Sequence, residues 1–195
     1  MNGFARRKQQ KRDSIMRAAL DLFRLHGFKH VNINDIASRA GVSPVTIYNH
    51  FNGKEELVRE AVKQVIADVV DQARMVLTGK GTFTEKLEYI IFNKVKSVSD
   101  FKGEMFGPVL YNDPDIETYL QDIWRNEINQ MMLDFIEEGK QQGFIEKDMR
   151  PESILIYFEL FRRGIFADPE KSSAINFTPA LVKELNQLFL YGLNG

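Results

Sequence analysis

Apolar positions recur at helical spacing along most of the chain. No stretch shows sustained two-residue alternation bounded by hairpin turns, so the pattern predicts an all-α fold. From Arg12 to His26, residues Ile15, Ala18, Ala19, Leu22 and Phe23 fall on one helical face, and Gly27 is placed to stop that helix in a left-handed cap. Asn32 can accept hydrogen bonds from the first turn of a second, short helix while Asp35 reaches back, as in a capping box. Ala40-Gly41-Val42 ends it. Ser43-Pro44 is another start signal, an N-cap followed by a proline where no N–H is missed, and this third helix reaches Phe51.

Beyond Asn52-Gly53 a long helix is predicted to Leu77, roughly 37 Å at 1.5 Å per residue. The glycine-rich stretch Thr78-Gly79-Lys80-Gly81-Thr82 breaks it. Further helices are expected from Thr84 to Val98, from Phe101 to Tyr111, from Asp113-Pro114 to Gln142 with Gly143 closing it, from Pro151 to Phe166, and from Pro179 to Tyr191.

Charge sharpens this picture. The 195 residues carry a net charge of −1, but Met1 to Lys54 holds 10 Lys and Arg against 3 Asp and Glu, leaving 16 against 24 in the remainder. A first quarter at +7 joined to a remainder at −8 suits a small nucleic-acid-binding module on a larger partner domain. The opening run Arg6, Arg7, Lys8, Lys11, Arg12 precedes any acid. The division expected is residues 1–53, a small basic domain with an N-terminal arm, and residues 54–195, a larger acidic helical domain.

The window from Ile33 to Phe51 has the layout of a helix-turn-helix. Ile36 and Ile47 must meet between the two helices, and Ala37 must be small where they cross. Gly41 supplies the backbone freedom of the turn, and Val42 plugs it from inside. The second helix of such a motif enters the major groove of double-stranded DNA, N-terminus first, which sets Pro44, Val45, Thr46 and Asn49 toward base edges. Pro44 and Val45 suit a thymine methyl; Thr46 and Asn49 can hydrogen-bond bases or phosphates.

Asn34-Asp35-Ile36-Ala37, Ala40-Gly41-Val42-Ser43, Thr46-Ile47-Tyr48-Asn49-His50-Phe51 and Lys54-Glu55-Glu56-Leu57 together resemble the TetR family of one-component transcriptional regulators. The resemblance implies that Tyr48 bonds a backbone phosphate through its hydroxyl and that Lys54 pairs with another. It also implies that Asn34 contacts the backbone or a base edge, and that Ser43 and His50 lie at the DNA surface. Pro44-Val45 departs from the commoner pattern of a basic residue followed by a small one, leaving base preference open.

In the acidic remainder, the helix from Pro151 to Phe166 is apolar nearly all round, and Leu181, Leu185, Leu188 and Phe189 form a stripe on the last helix. Two such helices from each of two subunits would make a four-helix bundle, so a homodimer on a palindromic operator is expected. Of the 22 aromatics, 11 lie between Phe101 and Phe166, with Met105, Met131 and Met132 among them. They suit an apolar effector pocket or an ordinary core. The resemblance favours a pocket for an unknown, mostly apolar small molecule, with Phe106, Tyr111, Trp124, Met131, Tyr157 and Phe161 as candidate lining.

Catalysis is not expected. The chain has no cysteine, and its three histidines, His26, His30 and His50, all fall in the first 50 residues, away from the acidic helices. No cofactor or metal is expected. The absence of cysteine, of a long apolar run and of a signal segment fits a cytoplasmic protein with no membrane association. The competing reading keeps the fold but assigns it an architectural or protein-controlled role without an effector.

Overall fold

The structure, a computed structural model, describes residues 3–93, 113–166 and 178–191. Every regular element among them is helical: α1 Gly3–His26, α2 Ile33–Ala40, α3 Pro44–Phe51, α4 Lys54–Leu77, α5 Phe83–Glu88, α6 Pro114–Ile123, α7 Asn129–Gln141, α8 Pro151–Phe166 and α9 Pro179–Tyr191. The helix expected from Phe101 to Tyr111 lies outside the described residues, with Phe106 and Tyr111.

Two features differ from the sequence pattern. Helix α1 begins nine residues before Arg12, because Phe4 to Lys11 contains no Gly or Pro and consists mainly of good helix formers, and Gln9 donates to Asp13 one turn on. Second, two predicted α-helices widen into π-helical turns, at Tyr89–Asn93 after α5 and at Trp124–Ile128 between α6 and α7. Apolar periodicity cannot distinguish such a one-turn insertion.

The described residues group into two compact units, 3–68 with 113–121, and 69–93 with 122–166 and 178–191. In the first, Ile15, Ala19, Phe23, Ile36, Ile47, Leu57 and Ala61 are completely or almost completely buried in one cluster from α1 to α4. Ile116 of α6, 0% exposed, joins the same core. Polar contacts secure it there: Arg59 donates to Asp113 at 2.8 Å and to Glu56 at 2.8 Å, and the Tyr119 hydroxyl donates to the Lys63 carbonyl. Asp113 also caps α6, accepting from the N–H groups of Asp115 and Ile116. Burial alone would raise the Asp113 carboxyl, but the Arg59 and backbone hydrogen bonds outweigh it and hold the carboxyl below its ordinary value. The stability it contributes is therefore present above the usual carboxylate range and is lost as pH falls through the lowered folded-state value.

The second unit is built on aromatic packing. Phe83 stacks on Phe135 and Phe144 with centroids 4.6 and 4.8 Å apart. Phe189 of α9 is ringed by Tyr157, Phe158 and Phe161 of α8. A Cβ on Gly139 would lie 2.7 Å from the Phe83 ring, so a residue with no side chain is required where α7 meets α5. Lys86, nearly buried, is neutralised by both carboxylate oxygens of Glu138 at 2.8 and 3.0 Å. Among the described residues, the buried Oδ1 of Asn186, on the core-facing stripe of α9, lacks a hydrogen-bond partner.

Candidate nucleic-acid interface

The surface in question is built from α2, the turn after it and α3. Asn32 accepts from the N–H groups of Asn34 and Asp35 at 2.9 and 3.0 Å, and the Asp35 carboxylate returns to the Asn32 N–H at 2.9 Å, completing the capping box. Helix α2 ends at Gly41, whose φ of 67° is left-handed and whose N–H meets the carbonyls of Ala37 and Ser38. A side chain there would be strained, because L-residues rarely adopt that backbone. The Val42 N–H closes the turn onto the Ala37 carbonyl at 3.0 Å, and Val42 packs against the core. Ser43 then caps α3: its Oγ accepts from the Thr46 N–H at 3.2 Å and lies 2.9 Å from the Thr46 hydroxyl.

This turn sets the faces of α3. Ile47 and Phe51 point into the core with Ile36 and Ala37, all at most 2% exposed. Val45, 65% exposed, projects from the opposite face with Tyr48, 55% exposed, and Asn49. An apolar side chain and a phenol left more than half exposed side by side on a short helix suit a surface that another molecule covers. Pro44, Thr46 and His50 are half-buried along its rim; Ser43 and Asn34 are exposed beside it, and Lys54 is half-buried at the first position of α4. The predicted DNA-contacting residues thus lie on one short helix, the start of the helix before it, and the start of the helix after it.

The electrostatics agree in sign. Arg6, Arg7, Lys8 and Lys11 are exposed along the first turns of α1. Burial, and then the positive charges of Lys8, Arg12 and Lys11, hold the His50 imidazole below its ordinary value. The part of that shift that comes from Lys8, Arg12 and Lys11 has the sign that a phosphate backbone would require of its partner surface.

A profile of bacterial regulatory proteins of the tetR family matches residues 15–61, which span α1 to the first turns of α4. Over those residues the chain carries the N-terminal domain of the TetR family of bacterial regulatory proteins. Similarity extends beyond the matched window. The HTH-type transcriptional repressor KstR2 of Mycolicibacterium smegmatis is 24% identical over 145 residues, covering 71% of this chain and 69% of the relative. A TetR/AcrR-family transcriptional regulator from Thermobifida fusca superposes with a TM-score of 0.66 at 21% identity, over 96% of this chain and 98% of that one. The transcriptional regulator FadR of Bacillus subtilis, solved in complex with stearoyl-CoA, superposes with a TM-score of 0.64 at 18% identity, over 92% and 98%.

The relatives that this chain resembles in sequence and fold are regulators of transcription, not enzymes. Among the described residues no helix is long and apolar enough to cross a membrane. The candidate effector residues that the structure describes are dispersed. Tyr157 and Phe161 meet around Phe189, where the Tyr157 ring stacks at 4.7 Å and its hydroxyl donates to the Phe189 carbonyl at 3.0 Å. Trp124 stands 49% exposed on the π-helical turn, and Met131 is half-buried on α7, next to Met132, which packs against the aromatic core. Sequence reasoning missed Phe189 as the hub of that cluster, although its place on the apolar stripe of the last helix signalled it. It also missed the inward turn of Arg12, which in the sequence is one cation in a run of five.

Proposed function

We propose that the protein is a homodimeric repressor that holds a palindromic operator with its two copies of α3 and releases it when a mostly apolar small molecule binds the second unit. The observation that carries the DNA half is α3 itself, with Ile47 and Phe51 locked inward and Val45, Tyr48 and Asn49 left outward. In this reading residues 1–53 supply DNA recognition and residues 54–195 supply the effector site and the dimer. Tyr48 and Lys54 bind phosphates, with Asn34, Ser43 and His50 around them, and Pro44, Val45, Thr46 and Asn49 read bases.

The dimer is supported by the outer face of α8. Ile156 and Leu160, 62% and 64% exposed, lie one turn apart with Tyr157 beside them, and Leu188 and Tyr191 are exposed on α9. A second copy of the same face would cover them by two-fold symmetry.

The effector is supported by the aromatic cluster of α8 and α9 and by an unsatisfied buried acceptor on α9, Asn186 Oδ1, which a ligand with one hydrogen-bond donor would complete. The stearoyl-CoA bound by the Bacillus subtilis regulator makes long-chain acyl compounds the first class to test. The orphan acceptor also gives a stability prediction. Asn186→Leu should raise the melting temperature of the unliganded protein by a few degrees, because an unpaired buried polar group costs about 1–3 kcal/mol; differential scanning calorimetry reads this directly.

The functional test is operator release. Compounds that raise the melting temperature should lower operator affinity, and about 1–3 kcal/mol of coupling produces a 5- to 150-fold loss. Stabilising compounds that leave operator binding unchanged would favour the architectural role.

Two phosphate contacts and one proton supply further checks. Tyr48→Phe and Lys54→Ala should weaken binding to all duplexes alike, and Lys54→Ala should reduce the slope of log affinity against log salt by about 1. A phosphate beside His50 would raise its lowered free-state value, so DNA binding takes up a proton. Operator affinity is therefore expected to rise as pH falls through the bound-state value, a trend that His50→Gln should flatten in fluorescence titrations between pH 8 and 5.5. In the free protein the sign is opposite. The stability from a neutral His50 is complete above its unfolded value near 6.5 and is lost as pH falls through the folded value.

A further inference from the structure

The basic run that opens the chain does not form one patch. Its first four cations are exposed, whereas Arg12 turns back between α1, α3 and α4. Its guanidinium donates through Nη1 to the His50 carbonyl at 3.1 Å and through Nη2 to Glu60 Oε2 at 2.7 Å. Its Cζ lies 4.4 Å from the centroid of the Phe51 ring.

These contacts address a weakness of α3. The helix has eight residues, too few to be stable alone, and its last four carbonyls have no partners within the helix. The Asn52 N–H takes the carbonyl of Tyr48. Arg12 takes that of His50, placing a cation at the negative end of the helix dipole. Glu60 fixes the guanidinium from α4 and is itself 3.8 Å from Lys63. Carbonyl, carboxylate and aromatic face are engaged at once by one planar fork, a geometry that a lysine ammonium cannot reproduce. Arg12 therefore ties the C-terminal end of α3 to the first half of α4, on the side away from the exposed Val45.

We propose that Arg12 is a positioning residue for sequence recognition: it fixes the angle at which α3 is presented to the major groove and does not itself neutralise a phosphate. The proposal rests on the reading of α3 as the recognition helix. Base readout demands placement within about 0.5 Å, so a loosened helix end should cost discrimination before it costs general attraction to DNA.

The test compares wild type with Arg12→Met, Arg12→Lys and Glu60→Gln. The probes are the best duplex that wild type recovers from a random-sequence pool and a scrambled duplex of equal length. Affinities are measured across a salt series, and each variant is melted in parallel. All three variants are expected to lower the ratio of selected to scrambled affinity by about tenfold, with the salt slope at its wild-type value and the two Arg12 variants alike. Arg12 would instead be a phosphate ligand if Arg12→Met reduced the salt slope by about 1 at an unchanged ratio and Arg12→Lys restored it. A fall in melting temperature with the ratio unchanged would reduce it to a structural residue. Either result overturns the proposal. Glu60→Gln keeps the test decisive if Arg12→Met does not fold. Failure of the underlying reading shows separately, as an Asn49→Ala variant with unaltered base preference.

Discussion

Replacing Ile156 and Leu160 together by glutamate is expected to leave a folded 22.5 kDa monomer whose operator affinity is at least a hundredfold below that of wild type. Both side chains are exposed on α8, whereas Ile154 and Phe158 on the opposite face are buried, so the substitutions leave the core intact. Four like charges would instead be brought together wherever two copies of this face meet, and that repulsion disfavours the paired state. The loss in DNA binding follows from valency. A dimer on a palindrome makes its second contact at high effective concentration, a gain of about 10²–10⁴ that one reading head cannot recover. Sedimentation equilibrium and operator titration on the same sample check both halves. A dimer that persists, or a monomer with undiminished affinity, would place the assembly elsewhere.

Asn49→Ala is expected to change which operator the protein prefers, lowering affinity for the wild-type sequence about 10- to 100-fold while leaving scrambled DNA nearly unaffected. Asn49 is exposed on the outer face of α3, in line with Val45 and one residue beyond Tyr48. A side-chain amide is matched in the major groove by the paired donor and acceptor of adenine, worth about 1–3 kcal/mol of discrimination per contact. Thr46→Ala should act in the same direction but less strongly, because the Thr46 hydroxyl already lies 2.9 Å from Ser43 Oγ. Selection from a randomised pool, repeated with each variant, reads the change as a relaxed position in each half-site. Uniform weakening across the pool would move Asn49 to the phosphate group with Tyr48 and Lys54.

The helix-turn-helix was legible in the sequence because each of its constraints is local. Asn32 with Asp35, Gly41 with Val42, and Ser43 with Pro44 are signals spanning four residues or fewer, and the hydrogen bonds they set close within six residues of chain. Ile36, Ala37 and Ile47 follow as inward positions from the layout of the motif, and all are buried. Contacts between distant segments were not legible. Ile116 enters the core of the first unit although it follows the long helix by some forty residues, and nothing near it in the chain marks this. Arg12 shows the same limit, since a cation's neighbours in sequence do not reveal whether it meets water, phosphate or the end of another helix. The start of α1 went unseen for a different reason. Its first turns bury no apolar face, so periodicity is silent where intrinsic propensity alone makes helix. The effector site was the least legible part, because an aromatic at helical spacing has the same pattern whether it lines a cavity or fills a core.

Footprinting of the purified protein on the DNA flanking its own gene reads operator, pairing and release in one experiment. One protected palindrome is expected, its half-site centres one helical turn or a whole number of turns apart, with protection lost when an apolar compound that stabilises the protein is added. Protection without a repeated half-site, or protection that no stabilising compound alters, would contradict a ligand-released dimeric repressor.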